Sequence, residues 1–192
     1  MKTLYYIFLI LFFTSKISSA QNSTKAYFAG GCFWCMEESF EKLEGVVEVI
    51  SGYSGGKTKN PTYKEVVYGD TGHFETIEVV YDASLISYKK LLDNFWINID
   101  PFDEYGQFCD KGYSYRSVAF YQNEKQKIMI ENSMKKIKNK FQKEVVTYIR
   151  KFEEFYKAED KHQDYYQEYF LNYLRYKKAC RREKILNNIW GS

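Results

Sequence analysis

Proline is nearly absent from this chain, two in 192 residues, which excludes a Pro-rich linker between domains. Cysteine is sparse. Four residues are too few for a disulfide-stapled mini-protein, yet enough for one redox couple, one metal site or two bridges. An excess of charge is missing too: Lys+Arg 28 against Asp+Glu 25 leaves +3, without the basic footprint of a nucleic-acid partner. The apolar run at residues 4–13 holds ten residues, about half of the ~20 that a membrane-spanning helix needs. What is present is 45% hydrophobic and 28% charged, which excludes a disordered chain and a multi-span membrane protein. The length suits one well-packed domain. Aromatic residues reach 19%, Tyr most of all, and imply a core and clefts walled by rings.

Residues 1–20 read as a segment apart from the fold. Met1-Lys2-Thr3 gives a short basic start, residues 4–13 an apolar stretch, and Ser18-Ser19-Ala20 a small-residue end. That order is the pattern of a secretory signal cut after Ala20. It predicts export to a periplasm or beyond, no stable membrane span after cleavage, and a mature domain over residues 21–192. Loss of Lys2 and Lys16 takes 28 basic residues to 26 against 25 acids, a net +1. All four cysteines then sit in an oxidising compartment, where a working thiol pair needs a dedicated supply of electrons.

Along the mature chain, residues 26–29 read as a buried strand stopped by Gly30-Gly31. From Cys32 the pattern turns helical, with Phe33, Met36, Phe40 and Leu43 on one face and Gly45 closing it. Residues 46–50 read as a strand, 52–62 as a glycine-rich loop and 74–81 as a strand. Ser87 caps a helix whose inner face carries Leu91, Leu92, Phe95, Trp96 and Ile99. Residues 100–112 form a polar loop, 116–121 a strand, 123–141 a helix and 145–149 a last strand, with helical pieces over the tail from 153 to 190. Strands and helices mix without a βαβ rhythm, which predicts a single α+β domain.

Three candidate sites stand out. Cys32 falls at a helix start, where unpaired N–H groups and the helix dipole favour an anion and lower a thiol pKa. Cys35 lies a turn further in and is secondary. Their spacing also suits a thioredoxin-like redox pair or half of a zinc site. Glu75 shares a strand face with Ile77, Val79 and Tyr81; desolvation there would raise its pKa and keep its proton available near pH 7, whereas a place at the strand's exposed end would leave a plain surface acid. Tyr53 in Gly52-Tyr53-Ser54-Gly55-Gly56, and Asp110, Tyr113 and Tyr115 before the strand at 116, are loop groups suited to hydrogen-bonding a polar oxygen beside an apolar pocket.

These segments together resemble the type A peptide-methionine sulfoxide reductases. The resemblance runs from Ala26 to about Trp190 through Gly31-Cys32-Phe33-Trp34, Gly52-Tyr53-Ser54-Gly55-Gly56, Asn60-Pro61-Thr62-Tyr63, Thr71-Gly72-His73-Phe74-Glu75, Tyr115-Arg116-Ser117 and Glu159-Asp160-Lys161-His162-Gln163. It implies a mixed sheet with flanking helices in a ferredoxin-like two-layer core, a monomer, and neither prosthetic group nor metal. It implies reduction of the S epimer of methionine sulfoxide, free or in proteins, with Cys32 as nucleophile and Phe33 and Trp34 holding the S-methyl group. Glu75 is the implied acid, and Tyr53, Asp110 and Tyr115 the implied partners of the sulfoxide oxygen. The resolving cysteine is implied at Cys180, in a recycling segment of about 153–192, with Cys35 as second choice and a thioredoxin-like protein as reductant. Cys35 and Cys109 look like marks of a subgroup. Two rival readings are a general thiol–disulfide oxidoreductase built on Cys32 and Cys35, and a non-catalytic peptide-binding domain. For export, Edman sequencing of the native protein is expected to start at Gln21; a start at Met1 contradicts cleavage.

Overall fold

The computed structural model describes residues 23–191; the signal-like segment lies outside them. The first half alternates β1 (Ser23–Gly30), α1 (Phe33–Glu41), β2 (Val46–Ser54), α2 (Tyr63–Tyr68), β3 (Phe74–Asp82) and α3 (Tyr88–Ile97). A two-residue hairpin, β4 (Gly106–Gln107) and β5 (Asp110–Lys111), then leads to β6 (Ser117–Tyr121) and α4 (Glu124–Phe141). After β7 (Tyr148–Lys151) and β8 (Phe155–Lys157) the tail is helical: α5 (Tyr165–Glu168), α6 (Phe170–Ala179) and α7 (Arg182–Trp190).

The main sheet has the order β7-β6-β1-β3-β2-β8. Its middle four strands, with α1 and α3 as crossovers, form the split βαβ arrangement, and β7 and β8 extend the two edges. Only β6 and β7 pair in parallel, so the sheet is mixed, and the expected α+β class and two-layer core are what the structure has. The sequence boundaries shift at three places. β2 runs on through Gly52 to Ser54 because Tyr53 pairs with Glu75 and Tyr156 on its two sides. The last strand starts at Tyr148 rather than at Val145, and β8 and α2 are additional. Thr62 caps α2 by accepting from Glu65 N–H, while the Glu65 carboxylate accepts from Thr62 N–H.

α1, α3 and α4 cover one face of the sheet. Phe28 of β1 is fully buried there, its ring 5.4 Å from Phe40 of α1 and 5.1 Å from Phe95 of α3. The opposite face carries a smaller cluster of Tyr27, Ala29, Phe74, Val118 and Phe120, closed by the chain around Phe152. β3 is therefore buried on both faces. Its two acids are both desolvated, Glu75 toward the helices and Glu78 toward Tyr27 and Lys25.

Phe28→Ala removes the ring on which both crossover helices rest. It is expected to cost on the order of 3–5 kcal/mol in urea unfolding of the oxidised protein, whereas a change below about 1 kcal/mol would show that the site collapses to fill the gap.

Candidate active site

The turn between β1 and α1 sets the site. Gly31 has φ +79°, and a side chain there would also lie 2.5 Å from Cβ of the buried Gln107. Only glycine lets the chain turn this tightly from strand into helix. Cys32 is the residue on which α1 starts, and its carbonyl accepts from Cys35 and Met36 N–H. The first helical N–H, that of Phe33, is left pointing back at the sheet. Antiparallel pairing puts the end of β1 beside the start of β3, and Glu75 meets that N–H: Phe33 N–H donates to Glu75 Oε2 at 3.0 Å.

Around Cys32 lies a cavity of about 100 Å³, floored by Phe33, Glu75 and Tyr115 and walled by Trp34, Tyr63, Asp110 and Tyr176. Trp34 is held face to face with Tyr165 at 3.8 Å. Glu75 is 2% exposed, so the expectation of a desolvated acid, rather than a surface one, describes its place. Tyr115 stands beside Glu75 and Tyr63 around the cavity. The structure thus gathers Cys32, Phe33, Trp34, Glu75, Asp110 and Tyr115 at one cavity.

Tyr53 is the exception. Its hydroxyl donates to Glu159 Oε2 at 2.8 Å, and its ring sits behind Phe33, 6.1 Å away, outside the cavity wall. The alternation of β2 turns Tyr53 toward the residue that follows β8, and the phenol facing the cavity is Tyr63. Glu159 also accepts from Tyr63 N–H at 2.9 Å, so one carboxylate of the tail ties both tyrosines together. Cys180 is in a disulfide with Cys109. The thiol beside Cys32 is Cys35, free and buried in the same cluster.

A family model described as peptide methionine sulfoxide reductase matches residues 24–192. The chain belongs to that family. A peptide methionine sulfoxide reductase MsrA of Listeria monocytogenes is 47% identical over 168 residues, covering 86% of this chain and 95% of the relative. The MsrA/MsrB protein of Vibrio cholerae is 45% identical over 177 residues, covering 91% of this chain, which spans 47% of that longer protein. Among solved structures, reduced Mxr1 of Saccharomyces cerevisiae superposes with a TM-score of 0.72 at 28% identity, over 77% of this chain and 86% of that one.

In this methionine sulfoxide reductase, burial sets the electrostatics. Burial pushes the Glu75 carboxyl up to about 8, helped by Asp110 and opposed by the Phe33 N–H. Burial likewise raises Asp110 and Tyr115, and takes the Tyr63 phenol to about 12. The helix start was expected to lower the Cys32 thiol; burial, the hydrogen bond to Cys35 and the nearby Glu75 and Asp110 push it up instead. Cys35 is held down at about 7 by the hydrogen bond from Cys32, with Arg182 and Lys177 adding to the effect. The cations that favour the Cys35 thiolate, Arg182 and Lys177, are supplied by the tail. Tyr63, Glu159 and Tyr165 were not singled out as site residues, although Tyr63 and Glu159 stand in motifs of the resemblance. The only sequence signal for Tyr63 is its place beside the Asn60-Pro61 turn.

Because the fold favours neutral Glu75, its contribution to stability is present below the ordinary carboxylate value of 4.5 and is lost as pH rises through about 8. The loss approaches ~1.4 kcal/mol per pH unit between those values. Glu75→Gln is therefore expected to gain on the unsubstituted protein by on the order of 2 kcal/mol or more between pH 5 and pH 9 in urea unfolding. Parallel pH profiles would show that Glu75 ionises without penalty.

Proposed function

We propose that Cys32 reduces the S epimer of methionine sulfoxide, free or in proteins, to methionine. The observation that carries this reading is a neutral, fully buried acid, Glu75, fixed by the Phe33 N–H at the wall of the cavity that holds the Cys32 thiol. A sulfoxide sulfur is a poor electrophile until its oxygen carries a proton. Glu75 supplies that proton, and the Tyr63 and Tyr115 hydroxyls stabilise the charge that develops on the oxygen. Phe33 and Trp34 take the S-methyl group against their rings, and Asp110 bounds the polar side.

The Cys32 sulfur attacks the sulfoxide sulfur and the oxygen passes to cysteine. Methionine leaves, Cys32 becomes a sulfenic acid, and its thiol proton restores Glu75. A second thiol then condenses with the sulfenic acid, giving a disulfide and one water. Cys180 was expected to take this step, but its sulfur is engaged with Cys109. Cys35 is buried in the same cluster as Cys32 and is the more acidic thiol, so in this reading Cys35 resolves first. Cys180 enters only once its own bond is reduced. An external thioredoxin-like dithiol returns the disulfide to two thiols, becoming a disulfide itself; Mxr1 of Saccharomyces cerevisiae, which shares the fold, is known in complex with Trx2. Residues 1–20 support export, and the donor would then have to work outside the cytoplasm. Among the described residues no helix is long and apolar enough to cross a membrane.

Incubation with dithiothreitol and separated epimers is expected to give methionine from the S sulfoxide and none from the R, with no turnover in Cys32→Ser. No methionine from the unsubstituted protein would return the site to a general thiol–disulfide role, and turnover surviving Cys32→Ser would remove Cys32 as the nucleophile. With one equivalent of substrate and no reductant, peptide mapping is expected to find Cys32 bonded to Cys35 and Cys109 still bonded to Cys180. A Cys32–Cys180 bond would assign resolution to Cys180.

A further inference from the structure

One wall of the cavity comes from a helix that the chemistry above leaves unused. Tyr176 of α6 is half-buried; its hydroxyl donates to Asp110 Oδ2, and its ring meets Trp34 edge-on at 5.9 Å. α6 touches the β4–β5 hairpin through the bond to Asp110. Its inner face carries Tyr173, Tyr176 and Cys180, spaced three and four residues apart. Tyr173 hydroxyl and Lys177 ammonium both donate to Glu38 Oε2, at 2.5 and 2.9 Å. Cys180 ends the helix in its disulfide with Cys109, which stands directly before Asp110. One covalent bond therefore holds together the two segments whose side chains, Tyr176 and Asp110, close the cavity. Closed, it measures about 100 Å³, against the ~300–1,000 Å³ usual for ligand sites. That is room for a methyl sulfoxide group, which leaves the rest of any substrate outside, at the rim that Tyr176 helps to line.

We infer that Tyr176 determines which methionine sulfoxides reach Cys32, and that the Cys109–Cys180 disulfide sets the position of Tyr176. With the bond intact, the ring lies over the cavity and the site favours the free amino acid. An external dithiol opens the bond, giving two thiols here and a disulfide on the donor. Cys109 offers the exposed sulfur for that attack, since Cys180 is buried. α6 is then held by the packing of Tyr173, its bonds to Glu38 and the buried Arg182 that follows, with no covalent tie at its end, and lifts to admit a sulfoxide within a polypeptide. The reducing power that restores the active thiol would thus also widen the range of substrates.

The inference rests on Cys32 as the nucleophile. Its test is a single turnover without added reductant, in which methionine release precedes any resolving step. Four forms are compared: protein with two free thiols and the Cys109–Cys180 bond verified, protein with four free thiols, Cys109→Ser, and Tyr176→Ala with the bond intact. Each receives free methionine S-sulfoxide or a hexapeptide with that residue inside. The ratio of peptide to free second-order rate constants is expected to rise roughly tenfold or more from the first form to each of the others. A ratio unchanged in both the four-thiol form and Cys109→Ser overturns the disulfide's part, and one unchanged in Tyr176→Ala as well overturns the whole inference. Methionine from none of the forms would instead overturn the reductase reading.

Discussion

The hydrogen bond from Phe33 N–H to Glu75 is the interaction on which the site depends. A helix start leaves N–H groups without intrahelical partners, and a carboxyl among hydrophobic side chains needs a donor. Each solves the other's problem, and Cys32 is brought beside Glu75 as a result. The rest of the core serves that meeting. Gly31 allows the turn, the antiparallel pairing of β1 with β3 puts both residues at one end of the sheet, and Phe28 seats α1 at the height the bond requires. Burial strong enough to keep the carboxyl protonated also keeps the neighbouring thiol from ionising, so the two groups are poised to exchange a proton through a bound substrate.

The parts of this arrangement that follow from local pattern were legible in the sequence. A two-residue period put Glu75 among Ile77, Val79 and Tyr81, and the fold buries it with them. Glycines followed by helical spacing put Cys32 at a helix start. What the pattern could not give was direction across long range. Tyr53 and Tyr63 both look like loop phenols; the pairing of β2 with β8 turns one toward Glu159, and α2 brings the other to the cavity. The expected fall in the Cys32 pKa failed for a similar reason. Helix position is a local property, whereas the burial and the two carboxyls that outweigh it come from segments about 40 and 80 residues downstream.

The aromatic excess divides by layer. Phe28, Phe40 and Phe95 seat the helices on the sheet, and Tyr27, Phe74 and Phe152 fill the far face. Around Trp34 a third group gathers, in which Tyr165 and His162 stack on its ring and Tyr176 meets it edge-on. That group belongs to the tail and the site at once. It is why a helical tail, with little apolar surface for the sheet to bury, is nevertheless docked: it comes to rest on the rings that frame the reacting cysteine.

The bridge between Cys109 and Cys180 spans 71 residues and closes the second half of the chain into a ring. β6, α4, β7, β8 and the first tail helices all lie within it, and both edge strands of the sheet, β7 and β8, belong to that ring. A protease that cuts any loop inside the ring therefore releases nothing; the pieces stay linked until the same bond is reduced. Closing a loop of that size restricts the unfolded chain by roughly 4 kcal/mol, so resistance to proteolytic wear and sensitivity to reductant become a single property of one sulfur–sulfur bond.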